Sequence, residues 1–145
     1  MTTAVRCPQC HATHSVPGVA CSDRFAELLA LDHSRTEPWG SRHGLAFSAF
    51  VLQHPRDYPP DVRDAAWRML WRVYVQGVDR LHVAREMRAL QGGVPATVPV
   101  PPVPVASDTA RLFAVTIADL GDFAAERYPA LLDAWCRATL AAYGV

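Results

Sequence analysis

The sequence predicts a mainly α fold, a helical bundle with an N-terminal zinc knuckle and a proline-rich connector. Three observations lead there. Apolar residues recur at helical spacing between Phe25 and Leu90, Cys7, Cys10 and Cys21 gather ahead of that stretch, and five prolines between Pro95 and Pro104 interrupt the chain after it. With 145 residues, 50% of them hydrophobic, one core can form without disulfides, so a single domain is expected. Its parts are the knuckle (1–21), a helical body (22–90), the connector (91–106) and a C-terminal strand/helix segment (107–145).

Composition excludes several classes of function. The 14 basic and 14 acidic side chains cancel, so no bulk charge holds this chain on nucleic acid or anionic lipid. Every basic residue apart from histidine is arginine, as in proteins from GC-rich genomes, which removes Schiff-base and P-loop lysine chemistry. The N-terminus has no apolar signal region and no run is long enough to span a membrane, so a cytoplasmic location is expected. Thiols stay reduced there, and clustered cysteines read as metal ligands before they read as a disulfide framework.

The body divides into four helices. Ser22 can cap a first helix over 23–33, with Phe25, Leu28, Leu29 and Asp32 on one side. The turn residues Pro38 and Gly40 follow, and Gly44 to His54 forms a second helix stopped by Pro55. It is apolar nearly all round and is expected at the centre. Pro59, Pro60 and Asp61 open a third helix, with Asp61 as cap, that runs to Gly77 and carries a wide apolar arc from Val62 to Tyr74. Asp64, Arg68 and Arg72 occupy its remaining face. Asp79 caps a fourth helix that runs through Leu90, with Val83, Met87 and Leu90 inward.

The connector's prolines forbid helix and favour an extended path, either a ligand for a proline-reading domain or a stiff strap over the body. Phe113, Val115 and Ile117 alternate with smaller or polar residues and suggest a short strand or extended segment. A last helix starts or restarts at Pro129, with Leu131, Leu132, Trp135, Ala138 and Ala142 inward and Cys136 as an inert core cysteine.

Cys7-Pro8-Gln9-Cys10 is a Cys-x-x-Cys turn, whose spacing aims two thiolates at one ion. Residues 11–19 do not read as the helix that a thioredoxin-like pair would need, so zinc is the cofactor expected. Cys21 sits where unpaired backbone N–H groups of the first helix favour a thiolate. The fourth ligand is a choice among histidines. His43 and His54 lie too far apart along one helix to hold the same ion. If the first two helices form an antiparallel hairpin, Cys21 meets His54 while His43 falls beside Asp32 and His33. The expected metal ligands are therefore Cys7, Cys10, Cys21 and His54, with His14 the alternative for the last. His11 reads as a supporting or solvent contact, and His82 as a surface residue paired with Glu86.

These cysteines, together with the stretch from His43-Gly44-Leu45 to Gln53-His54-Pro55, resemble a family of small bacterial proteins of unknown function. That family carries Cys-Pro-x-Cys, a third Cys before a helix, and His-x-Leu-x-Val-Asp-Ala-Tyr-x-x-Gln-His-Pro. The motif likeness covers about the first third of the chain, with a looser one around Trp135. It implies that Cys7, Cys10, Cys21, His43, Gln53 and His54 matter. Ser48 and Phe50 stand where the family motif has Asp and Tyr, so no role of that carboxylate transfers here.

Three functions follow. A structural zinc could pin the knuckle to a helical interaction or regulatory module, working on an unknown protein partner or small molecule. A small zinc enzyme would instead keep an open metal position, or use a pocket beside His43 lined by Asp32, Trp39 and Phe47. Nucleic-acid binding through Arg63, Arg68 and Arg72 is disfavoured by Asp61 and Asp64.

Overall fold

The computed structural model describes residues 5–104 and 111–145. Among the described residues five α-helices make the fold: α1 (Cys21–His33), α2 (His43–Gln53), α3 (Pro60–Leu70), α4 (Arg80–Gln91) and α5 (Tyr128–Ala142). Short 3-10 turns lie at Gly40–Arg42, Pro55–Asp57 and Ile117–Leu120, and a π-helical turn, Trp71–Val75, extends α3.

The start of α1 is two residues earlier than Ser22 capping would place it. The Asp23 carboxylate accepts the Ala20 N–H at 2.8 Å, so Ala20 is the residue outside the first turn and Cys21 the first inside it. At α3 the boundary is Pro59 rather than Asp61, because Pro60 has no N–H to satisfy and its fixed φ suits a first helical position. Asp79 caps α4 as its sequence implies, accepting from Leu81 N–H and His82 N–H at 2.9 and 3.3 Å. Gly77 breaks the chain between them at φ 69°, a left-handed value that glycine adopts without cost.

Helix α2 is the centre of the molecule, as its all-round apolarity demands. Leu45, Ala46, Ala49, Phe50, Val51 and Leu52 are buried against α3 on one side and α5 on another. Gly44 lets α3 come close, since a Cβ there would stand 3.1 Å from Met69 Cε. From α5, Leu132, Trp135 and Cys136 are fully buried, and burial pushes the Cys136 thiol up to about 12, so it stays protonated.

Helices α1 and α2 run antiparallel. Phe25 stacks on Phe50 with ring centroids 4.0 Å apart, while at the far end His43 Nδ1 lies 2.9 Å from Asp32 Oδ2. This register carries Cys21 to the level of His54.

Residues 94–104 are extended against α3: Trp67 Nε1 donates to Pro101 O at 2.9 Å and Arg68 to Val98 O at 2.5 Å. Two expectations are corrected. No strand occurs among the described residues, and 111–116 is irregular chain, bent at Ala114 and Val115, without a ladder partner. The alternation there is real, with Phe113, Val115 and Ile117 turned inward, but the Val115 carbonyl accepts from the Gln53 side chain at 2.8 Å and not from a neighbouring strand. Arg72 is the second correction. It is buried beneath α4, where Glu86 accepts from it twice, at 3.0 and 2.6 Å, so the polar face expected over Asp64, Arg68 and Arg72 does not reach it. Positions 107–110 of the expected C-terminal segment, with 105–106 of the connector, lie outside the described residues.

Candidate metal centre

The Cys-x-x-Cys turn is closed by its own backbone. Cys7 N–H donates to Ala12 O at 2.9 Å and His11 N–H to Cys7 O at 3.0 Å, with His11 at φ 65° completing the reversal. Gln9 then fastens this turn to the chain after α2. Its amide donates to Asp57 Oδ2 at 3.1 Å and its oxygen accepts Arg56 N–H at 3.0 Å. The knuckle is thereby held over the end of α2, where Pro55 stops the helix and leaves His54 as its last, non-helical residue.

One ligand atom from each of Cys7, Cys10, Cys21 and His54 lies within 4.8 Å of all the others. Three of the residues are buried and Cys7 is half-buried. The histidine is oriented from below: His54 Nδ1 is 2.8 Å from Phe50 O and donates to it, and the ring stacks on Phe50 at 4.1 Å. That bond consumes the Nδ1 proton and leaves Nε2 as a lone-pair donor. His54 Nε2 is buried and has no hydrogen-bond partner in the protein. Buried polar atoms are almost always paired, and a metal-binding histidine characteristically gives its other N–H to a backbone carbonyl, so this orphaned atom fits a metal ligand.

The sulfurs make the same point through charge. Cys10 Sγ and Cys21 Sγ are 3.6 Å apart. Hydrogen bonding from Cys21, aided by His54 and opposed by burial, holds Cys10 down at about 4. Cys21 is pushed far up, first by Cys10 and then by burial. Two buried anions at this distance repel, so the pair keeps one proton between them. A cation among the four atoms removes the repulsion and favours thiolate at every sulfur.

The remaining histidines are dispersed. His14 is buried with Nε2 3.2 Å from Cys21 Sγ, beside the cluster but outside its four mutually close atoms. His11 is half-buried on the turn, its Nε2 shielded and unpaired. His82 lies 3.2 Å from Glu86, one turn along exposed α4. His43 sits at the opposite end of α1 and α2 from the cluster, paired with Asp32, its ring 5.6 Å from His33 and 5.9 Å from Phe47. Trp39, expected beside it, donates its indole N–H to Phe123 O at 2.9 Å. A cavity of about 130 Å³ is lined by Arg68, Glu86, Leu90 and residues 94–98 among others, and none of Asp32, Trp39, His43 and Phe47 lines it. Gln53 is fully buried and donates to Val115 O and to Thr139 Oγ1 at 2.9 Å, tying α2 to the 111–116 segment and α5. Sequence reasoning missed two contributors: the Gln9 clasp, which nothing in composition marks, and the Phe50 carbonyl, whose place four residues before His54 was the available signal.

Fold and cluster together define a helical-bundle protein with a buried three-cysteine, one-histidine group able to hold a metal ion. The family described as "family of unknown function (DUF5946)" matches residues 5–144, and the chain belongs to it. The match runs far beyond the first third, where the motif likeness lies. No curated protein and no solved structure matches the chain. Among the described residues no helix is long and apolar enough to cross a membrane.

Proposed function

We propose that this protein is a zinc-stabilised helical module of the reducing cytoplasm, acting through interaction or regulation, in which Cys7, Cys10, Cys21 and His54 bind one Zn²⁺. The observation that carries the reading is His54, whose ring offers a nitrogen within 4.8 Å of three cysteine sulfurs and whose Nε2 is buried without a partner. Soft thiolates with one imidazole suit zinc and not magnesium or calcium. Four protein donors fill a tetrahedron and leave no position for water or substrate, which favours a structural ion over a catalytic one. The ion's work is to join segments distant in sequence, the knuckle, the start of α1 and the end of α2. Metal analysis with X-ray absorption on protein purified without added metal tests this. One zinc per chain with three sulfurs and one nitrogen is expected. An oxygen ligand in place of a protein donor, or less than about half an equivalent of any soft metal, overturns it.

An enzymatic reading rests on one observation at the other end of the hairpin. Asp32 has a fully buried side chain, its Oδ1 is unpaired, and its Oδ2 holds a His43 ring that is 39% exposed. A buried carboxylate that fixes a histidine tautomer leaves the outer nitrogen available as a base. On this reading His43→Ala abolishes an activity found by substrate screening while zinc and melting temperature stay unchanged. A loss of stability without loss of any activity rejects it. Nothing comparable favours nucleic acid, since Arg72 is committed to Glu86 and Arg68 to Val98.

A further inference from the structure

We infer that His14 is a positioning residue of the metal centre, donating an N–H hydrogen bond to the Cys21 sulfur, and is not itself a ligand. The inference rests on the zinc reading above and adds a residue to it.

His14 is the buried member of an exposed stretch: Thr13, Ser15, Val16, Pro17 and Gly18 all face solvent, while its own ring is turned inward. A buried imidazole needs a partner for its N–H, and the Cys21 sulfur lies 3.2 Å from Nε2. The ligand positions are already filled by four atoms lying within 4.8 Å of one another, a set that does not include His14. Electrostatics then says what a fifth group is for. Three thiolates around a divalent ion carry one excess negative charge into a buried site, where it is costly unless hydrogen-bonded. The N-terminus of α1 supplies part of the compensation, because Cys21 is its first residue and the positive end of the helix dipole lies there. His14 supplies the rest from the opposite, loop side. Such a bond has two consequences: it fixes the Cys21 rotamer before the ion arrives, and it draws charge from the sulfur, making that thiolate a poorer nucleophile than its neighbours.

The two consequences are read together in zinc-loaded full-length protein carrying His14→Phe, which keeps a ring of similar size but no donor, and His14→Gln, whose amide N–H can reach the same sulfur. Zinc affinity is measured by chelator competition. Iodoacetamide is then added, so that its carbon bonds to sulfur as iodide leaves, and the rate at each cysteine is read by peptide mass mapping. We expect His14→Phe to weaken zinc about 10- to 100-fold and to accelerate alkylation of Cys21 selectively, with Cys7 and Cys10 as internal standards. His14→Gln should recover most of both. X-ray absorption should report three sulfurs and one nitrogen in all forms. Unchanged affinity and unchanged Cys21 alkylation in His14→Phe overturn the positioning role alone and leave the zinc reading intact. Retention of zinc by His54→Ala together with loss of a nitrogen ligand in His14→Phe makes His14 the ligand and overturns both. Failure of the wild-type chain to bind any soft metal also overturns both.

Discussion

Two histidines at the two ends of α2 do different work because of what each ring nitrogen meets. His54 gives one N–H to Phe50 O and keeps a buried lone pair toward three sulfurs, whereas His43 gives its Nδ1 to the buried Asp32 carboxylate and faces solvent with the rest of its ring. Their truncations should therefore separate cleanly. His54→Ala is expected to surrender zinc to a chelator far sooner than wild type, measured by a metallochromic dye. His43→Ala should keep its zinc and lose about 1 to 3 kcal/mol of stability in urea, because Asp32 is left buried without a partner. Equal zinc retention by both variants would contradict this assignment. The cysteines and, through the hairpin logic, the preference for His54 were legible at this scale; His14 stayed an alternative there because both are close to the knuckle and only side-chain direction distinguishes them.

At the scale of elements, capping and coverage decide stability. Asp79 satisfies two backbone N–H groups at the start of α4, so Asp79→Ala should cost about 1 kcal/mol, read as a lower denaturant midpoint with unchanged slope. Helix α4 is also locked to the chain after α3 by the paired bonds from Arg72 to Glu86. Those bonds hold the Glu86 carboxyl below its ordinary value of 4.5. A carboxyl depressed in the folded state stabilises above its unfolded value and loses that contribution as pH falls through the folded one. Glu86→Gln should therefore be less stable than wild type at pH 7, by on the order of 1 kcal/mol for a partly exposed pair. The gap should close below the ordinary carboxyl value. A difference in melting temperature that is the same at neutral and acid pH would show that the pair contributes nothing electrostatic. The helix start at Asp79 was legible because its cap is local, whereas the caps expected at Ser22 and Asp61 gave way to Ala20 and Pro59. Of the two readings of 113–117, a short strand or an extended segment, the strand did not form, since alternation records which side of a chain is buried and says nothing of a second strand.

For the whole molecule, the proposed zinc implies that the bundle and the knuckle depend differently on it. The core around Leu28, Leu52, Leu70, Leu132 and Trp135 is closed by helix packing, while residues 5–20 contain no helix and are held by the Gln9 clasp and the cysteine cluster. Removing zinc should leave most far-UV helical signal in place and expose residues 5–20 to limited proteolysis first. Simultaneous loss of helix and knuckle would mean that the ion holds the bundle itself. The aromatic contacts from His43 through Phe47, Phe25 and Phe50 to His54 line the seam between α1 and α2 and give that hairpin a register of its own.

By itself the sequence determined the gathering of cysteines ahead of the first helix, the Cys-x-x-Cys spacing of Cys7 and Cys10, the central place of α2, and the breaks at Pro55 and Gly77. Each follows from a residue's own chemistry or from its near neighbours, which the chain carries wherever it goes. Only the tertiary structure decided which histidine closes the cluster, that Arg72 is buried, and that Gln53 replaces a strand partner for Val115. Those outcomes depend on a second element arriving from elsewhere in the chain: α1 against α2, α4 over the turn after α3, and α5 beside Gln53. A side chain's burial and its partner are properties of such pairings, and periodicity along one segment cannot encode them.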